Sequence, residues 1–269
     1  MENVNTYSKK ERNMFLTGMF GQNMIYNVVT VGLYYYFQNV ICLPAIAFGW
    51  IFAIARIWDA INDPMMGSIV DKTRTKWGKC RPYLIFSPIV ICVITIAAFF
   101  NGNYANAKAN GNKTAMIFIV AWAAISYVLW GMSYTVGDIP LWGIISRITE
   151  SEKDRSSLIS LSRIIASIGA GLVVISIVAV SQSLNSAFGL DTNAQKGFIV
   201  AAIIITIIGS ALFECAGTGT KERVPNGSET KTMKESFALM WKCKPFRRIL
   251  ISGLLRAPLQ LMMNIAMTL

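Results

Sequence analysis

The 269-residue chain has no histidine. That removes the side chain whose unperturbed pKa lies nearest neutrality, and with it His-based catalytic triads and the commonest metal ligand. Charge is scarce as well: 14% of residues are Asp, Glu, Lys or Arg, against about 25% in an average soluble domain. Cys42, Cys80, Cys92, Cys215 and Cys243 show no paired or zinc-type spacing, so neither a disulfide framework nor a structural metal is implied. Acidic residues number 14 against 25 basic ones, a net charge of +11. What fills the chain instead is apolar: 54% of residues are hydrophobic and the mean hydropathy is +0.49. A soluble fold would have to bury nearly every segment, so the composition reads as an integral membrane protein.

Hydrophobic runs fall at Met14–Phe37, Pro44–Val70, Pro82–Phe100, Thr114–Trp142, Leu158–Ser181, Phe198–Cys215 and Ile249–Leu269. The first is too long for a signal peptide and has no small-residue cleavage site, so it is expected to remain as a span. Nineteen of the 25 Lys and Arg lie before the first run or in the second, fourth and sixth connections. Lys108, Lys113 and Lys196 alone occupy the others, and Arg56, Arg163 and Arg256 lie within runs. This asymmetry is the positive-inside pattern. It predicts a multi-pass protein of the cell (inner or plasma) membrane with a cytoplasmic N-terminus. The basic excess thereby orients the chain in its lipid bilayer and implies no nucleic-acid partner.

Within the second run, Arg56, Asp59 and Asp63 are spaced i, i+3, i+7 and share one helical stripe. A charge near a bilayer centre costs about 2.5–3.5 kcal/mol on insertion scales. Three on one stripe are tolerable where that stripe faces protein, water or an ion. Asp59 and Asp63, one turn apart, can converge on a single point. With the amide of Asn62 and a hydroxyl they would form an oxygen cage for a hard monovalent cation or hold a proton. The blander reading, that Arg56 merely neutralises Asp59, leaves Asp63 unpaired. In the fourth run Trp130, Tyr134, Asp138 and Trp142 recur every four residues. Aromatic faces beside a carboxylate suit the apolar face and hydroxyls of a sugar; such a stripe without Asp138 reads as packing.

Three runs of residues resemble one family in order. They are Ala55–Gly67 with the following Thr73–Pro82, then Trp130–Trp142, then Ser162–Ser167. Together they resemble the glycoside–pentoside–hexuronide:cation symporter family, typified by melibiose permease, within the major facilitator superfamily. The resemblance covers Met14 to about Cys215. It implies an all-α fold: an N-terminal six-helix bundle (1–216) of two inverted three-helix repeats, a central cytoplasmic loop (217–248) and a seventh helix (249–269) that starts a second, incomplete half. The chain is accordingly expected to be truncated and inactive alone, with a natural seven-span protein as the other reading. The resemblance assigns Asp59, Asn62, Asp63 and Thr135 to a coupling-ion site for Na+, H+ or Li+, with no further cofactor. It assigns Tyr134, Asp138, Trp142 and Arg163 to a sugar pocket. Where the melibiose permease type carries a Lys–Asp pair in the first span, this chain has Gln22 and Asn23. Amides still hydrogen-bond hydroxyls, but the field differs. Melibiose itself is therefore disfavoured, and a hexuronide joins the candidate substrates.

The connection carrying Asp71, Arg74 and Gly78 resembles the superfamily's loop between spans two and three. It reads either as a gating latch, in which Asp71 pairs with basic neighbours and Arg56 takes part further in, or as topogenic charge alone. The expected activity is secondary active symport of a cation with a glycoside, oligosaccharide or hexuronide by a monomer. A lipid or lysolipid symporter of the same fold is the nearer alternative and an intramembrane enzyme the remote one.

Overall fold

The computed structural model describes residues 6–188, 195–224, 241–245, 247–248 and 251–252. The chain divides into two compact units, Met1–Pro225 and Asn226–Leu269. Most of the second unit, including residues 226–240 of the expected central loop and nearly all of the seventh hydrophobic run, lies outside the described residues.

The first unit is helical, with elements α1 (Lys9–Asn27), α2 (Ala45–Lys72), α3 (Arg81–Phe99), α4 (Tyr104–Ala109), α5 (Lys113–Gly143), α6 (Ile145–Ile148), α7 (Glu152–Phe188) and α8 (Gln195–Gly219). Local chemistry sets the starts. Ser8 and Glu11 form a reciprocal capping box on α1. Asn112 accepts from the Ala115 N–H at 3.0 Å to cap α5. Pro82 occupies the first turn of α3, where no N–H is needed. Beyond Asn27 the first rod continues as π-helical turns over Val28–Leu33 and Tyr36–Val40. The apolar run thus forms a helix as expected, but with a wider period.

Among the described residues five helices, α2, α3, α5, α7 and α8, are long and apolar enough to cross a membrane, and the first rod accompanies them. α1 packs on α7 and α8, α3 on α5 and α8, and α2 on α5. The α1–α8 approach depends on glycine: a Cβ at Gly21 would collide with the Gly209 carbonyl oxygen. Two apolar clusters fill the interior, one around Tyr36, Phe37, Phe99 and Phe198, the other around Phe15, Leu84, Leu141 and Phe213. Outside, Trp50, Ile54, Ile57 and Ile61 on α2 and Ile117 and Phe118 on α5 are exposed. Such a surface is untenable in water and normal against lipid. The unit is an integral membrane bundle.

Hydrogen bonds join residues 79–81 and Arg147 to 222–224 at one end of this bundle, a basic end rich in Lys and Arg.

Candidate functional site

α1, α2 and α5 enclose a cavity of about 210 Å³ walled by Tyr26, Arg56, Asp59, Asp63, Trp130, Tyr134, Thr135 and Asp138, among others. The helical stripe read from α2 is real: Arg56, Asp59 and Asp63 all face this space. Arg56 Nη1 lies 3.6 Å from Asp59 Oδ2, with the two side chains 53% and 31% exposed. So exposed a pair contributes little to stability, and Asp63 is left to a different partner. That partner comes from α5. The Thr135 hydroxyl is 3.0 Å from Asp63 Oδ1 and 2.9 Å from the Gly131 carbonyl. One proton serves two acceptors there, so the hydroxyl can turn a lone pair toward an incoming cation without losing its own bond. Gly131 keeps the space open: a Cβ would stand 3.2 Å from Asp59 Oδ1.

Further along the same face of α5, Asp138 is held from α1. Gln22 Nε2 donates to Asp138 Oδ1 at 2.7 Å and also to the Tyr134 hydroxyl. Asn23 stands behind it, donating to Gln22 Oε1 at 2.6 Å and to the Met19 carbonyl. Trp142 Nε1 donates to Asp138 Oδ1 at 3.2 Å, and the Arg163 guanidinium lies 4.5 Å above the Trp142 ring. Gln22, Trp142 and Arg163 are therefore linked to Asp138 in a chain, with Asn23 as support.

Trp130 and Tyr134 stack with centroids 5.0 Å apart, and Tyr26 packs against both at 6.2 and 5.3 Å. Trp130 Nε1 is a buried donor with no protein partner, so this aromatic wall has a hydrogen bond to offer a ligand. Tyr26 was not singled out from the sequence, although it lies one turn beyond Gln22 on the same face of α1.

Asn62 stands apart. It is not among the cavity-lining residues, and its amide nitrogen is buried without a partner. At the basic end, Asp71 pairs with Lys79 at 3.9 Å, the lysine 8% and the aspartate 78% exposed. Arg74 is exposed, and Gly78 takes φ +112°, a left-handed turn that favours glycine. Burial draws the Lys79 ammonium below its ordinary pKa, with Arg147 adding to the effect. Among the described residues no group of three or more His, Cys, Asp or Glu could hold a metal ion.

Three carboxylates and one guanidinium thus line one cavity, with the second guanidinium held off by Trp142. An arrangement with surplus negative charge, oxygen ligands on two helices and an adjoining aromatic wall can bind a small cation beside a polyhydroxylated ring.

The chain matches the MFS/sugar transport protein family over residues 14–269. It is 28% identical over 239 residues to the isoprimeverose transporter of Lactiplantibacillus pentosus, covering 88% of this chain and 46% of that protein. It is 29% identical over 248 residues to the inner membrane symporter YicJ of Escherichia coli K12, covering 92% and 50%. Against the lactose permease of Leuconostoc lactis the identity is 30% over 190 residues, covering 69% and 29%. The chain spans about half the length, or less, of these curated relatives. These relatives are named as carriers, not as enzymes.

Proposed function

Because the chain belongs to the sugar-transport family of the major facilitator superfamily, in its glycoside–pentoside–hexuronide:cation symporter branch, we propose that it serves cation-coupled uptake of a glycoside across the cell membrane, its basic end in the cytoplasm. The observation that carries the reading is the Asp63–Thr135 contact, which ties the α2 carboxylates to α5 in the cavity that Asp138 also faces.

In this mechanism a monovalent cation, sodium foremost, enters between Asp59 and Asp63. The Thr135 hydroxyl turns its proton to the Gly131 carbonyl and its lone pair to the ion. The bound charge relieves repulsion between the two carboxylates. The sugar lies against Trp130 and Tyr134, accepts from Trp130 Nε1 and donates to Asp138, whose position Gln22 and Trp142 fix. Tyr134, Thr135 and Asp138 share one face of α5, so ordering α5 for one ligand prepares it for the other. The coupling is necessarily reciprocal: each ligand raises the other's affinity by one factor. The ion gradient then drives the loaded state inward, one charge through 100 mV contributing about 2.3 kcal/mol.

The relatives named as transporters of isoprimeverose and lactose support a neutral glycoside as the substrate class. Asp59→Cys in a transport-competent protein is expected to abolish sodium-stimulated uptake and leave sugar binding measurable. Undiminished sodium stimulation in that variant would remove Asp59 from the ion site.

A further inference from the structure

The basic end contains a second construction that the cavity does not use. The Glu222 carboxylate, just past α8, accepts from three successive backbone N–H groups at the start of α3: Lys79 at 3.0 Å, Cys80 at 2.8 Å and Arg81 at 3.1 Å. The first-turn N–H groups of a helix have no intrahelical partner and carry the positive end of its dipole, so a carboxylate is the complement they require. Arg81 Nε returns a bond to the Gly217 carbonyl at 3.2 Å. The Gly78 turn is shaped around the same group: beyond its positive φ, a Cβ there would collide with the Glu222 carboxylate. The next residue anchors elsewhere. Arg223 Nη2 donates to both oxygens of Glu11 at 2.8 and 2.7 Å. The Arg223 and Val224 N–H groups donate to the Arg147 carbonyl at 2.8 and 3.0 Å. The exit from α8 is thus stapled to α1, α3 and α6.

We propose that Glu222 is a positioning residue: its carboxylate is the built-in anion of the α3 N-terminus and holds residues 73–80, and through Lys79 the pair with Asp71 of α2, in the shape the cytoplasmic gate needs. The gating part rests on the symport reading; the anchoring part does not. Gly78 is then required by the carboxylate it admits as much as by its turn. The segment from Thr220 to Val224 moves with the bundle.

Cys80 supplies the probe, being 4% exposed and bonded through its own N–H to Glu222. Maleimide labelling of Cys80 is measured in detergent-solubilised protein with its other cysteines changed to serine. Glu222→Ala should speed labelling by about tenfold or more, the scale of one lost charge-assisted hydrogen bond. Excess formate, which fits the emptied cradle, should slow labelling again, where chloride at the same ionic strength does not. Glu222→Gln, the variant least disturbing to folding, should fall between. Parallel single-cysteine proteins retaining Cys92 or Cys215 should label at unchanged rates. An unchanged Cys80 rate, no protection by formate, or an equal rise at Cys92 and Cys215 would overturn the anchoring. For the gate, Glu222→Gln should lower the maximal transport rate with the sugar KM unchanged; an unaltered rate would overturn that part alone.

Discussion

Replacing Thr135 with valine tests the ion site at its narrowest point. The substitution keeps the branched shape and removes one oxygen. In the structure that oxygen reaches Asp63 Oδ1 at 3.0 Å and the Gly131 carbonyl at 2.9 Å, so its single proton is shared between a charged and a neutral acceptor. A cation settling between the carboxylates gains the hydroxyl lone pair once the proton has turned to Gly131. Valine offers neither lone pair nor proton. The net worth of a hydrogen bond to a charged group, about 1.5–3 kcal/mol, is the scale of the loss. It corresponds to about a 10- to 150-fold weaker cation affinity. Calorimetric titration of sodium into the purified protein, with and without sugar, reads this directly. Thr135→Ser retains the oxygen and should stay near wild type. A shift below about threefold in Thr135→Val would remove the Thr135 hydroxyl from the ion site, as would an equal loss in both variants.

Gly131→Ala should also weaken sodium binding, because its Cβ would stand 3.2 Å from Asp59 Oδ1; sugar affinity without sodium, measured alongside, should change little. Gln22→Leu removes the donor shared by Asp138 and Tyr134 and should lower sugar affinity, by fluorescence or calorimetry, by about tenfold or more. Acid stability should depend on Glu11. Burial alone would push its carboxyl up, but the bonds from Arg223 and Ser8 prevail and hold it below the ordinary 4.5. A depressed folded pKa means stability present at neutral pH and lost as pH falls below about 4.5. Thermal unfolding followed downward from pH 7 should show that loss, and Glu11→Gln should remove its share of it.

The α2 charges were legible because helical spacing fixes which residues share a stripe, and the stripe read from positions 56, 59 and 63 faces the cavity. The second to sixth spans were legible for a similar reason, since lipid demands long apolar runs. Neighbourhood in sequence misleads where geometry intervenes. Asn62 adjoins Asp63 in the chain but lies about 100° around the helix from it, and the structure keeps it out of the cavity wall. Arg163, assigned with Asp138 to one sugar pocket, meets it by way of Trp142, whose ring it covers. The π-helical turns of the first rod cover Val28–Leu33, apolar apart from Thr30, and Tyr36–Val40, where Gln38 and Asn39 are adjacent and mark no helical stripe. A run with little polar contrast does not reveal its period. Glu222 could not be found from pattern at all. Its three partners lie 141 to 143 residues away, and a lone Glu between Lys221 and Arg223 reads as solvated charge until the chain has folded.

Whether one cavity couples a cation to a sugar is decided by uptake of labelled glycosides into vesicles bearing the full-length protein under imposed sodium or proton gradients. A panel containing isoprimeverose, lactose and a glucuronide should yield at least one sugar whose uptake rises with an inward sodium gradient and loses that rise in Asp59→Cys. Uptake of no sugar under either gradient, by full-length protein shown to be folded, would mean that the cavity does not serve cation–sugar symport.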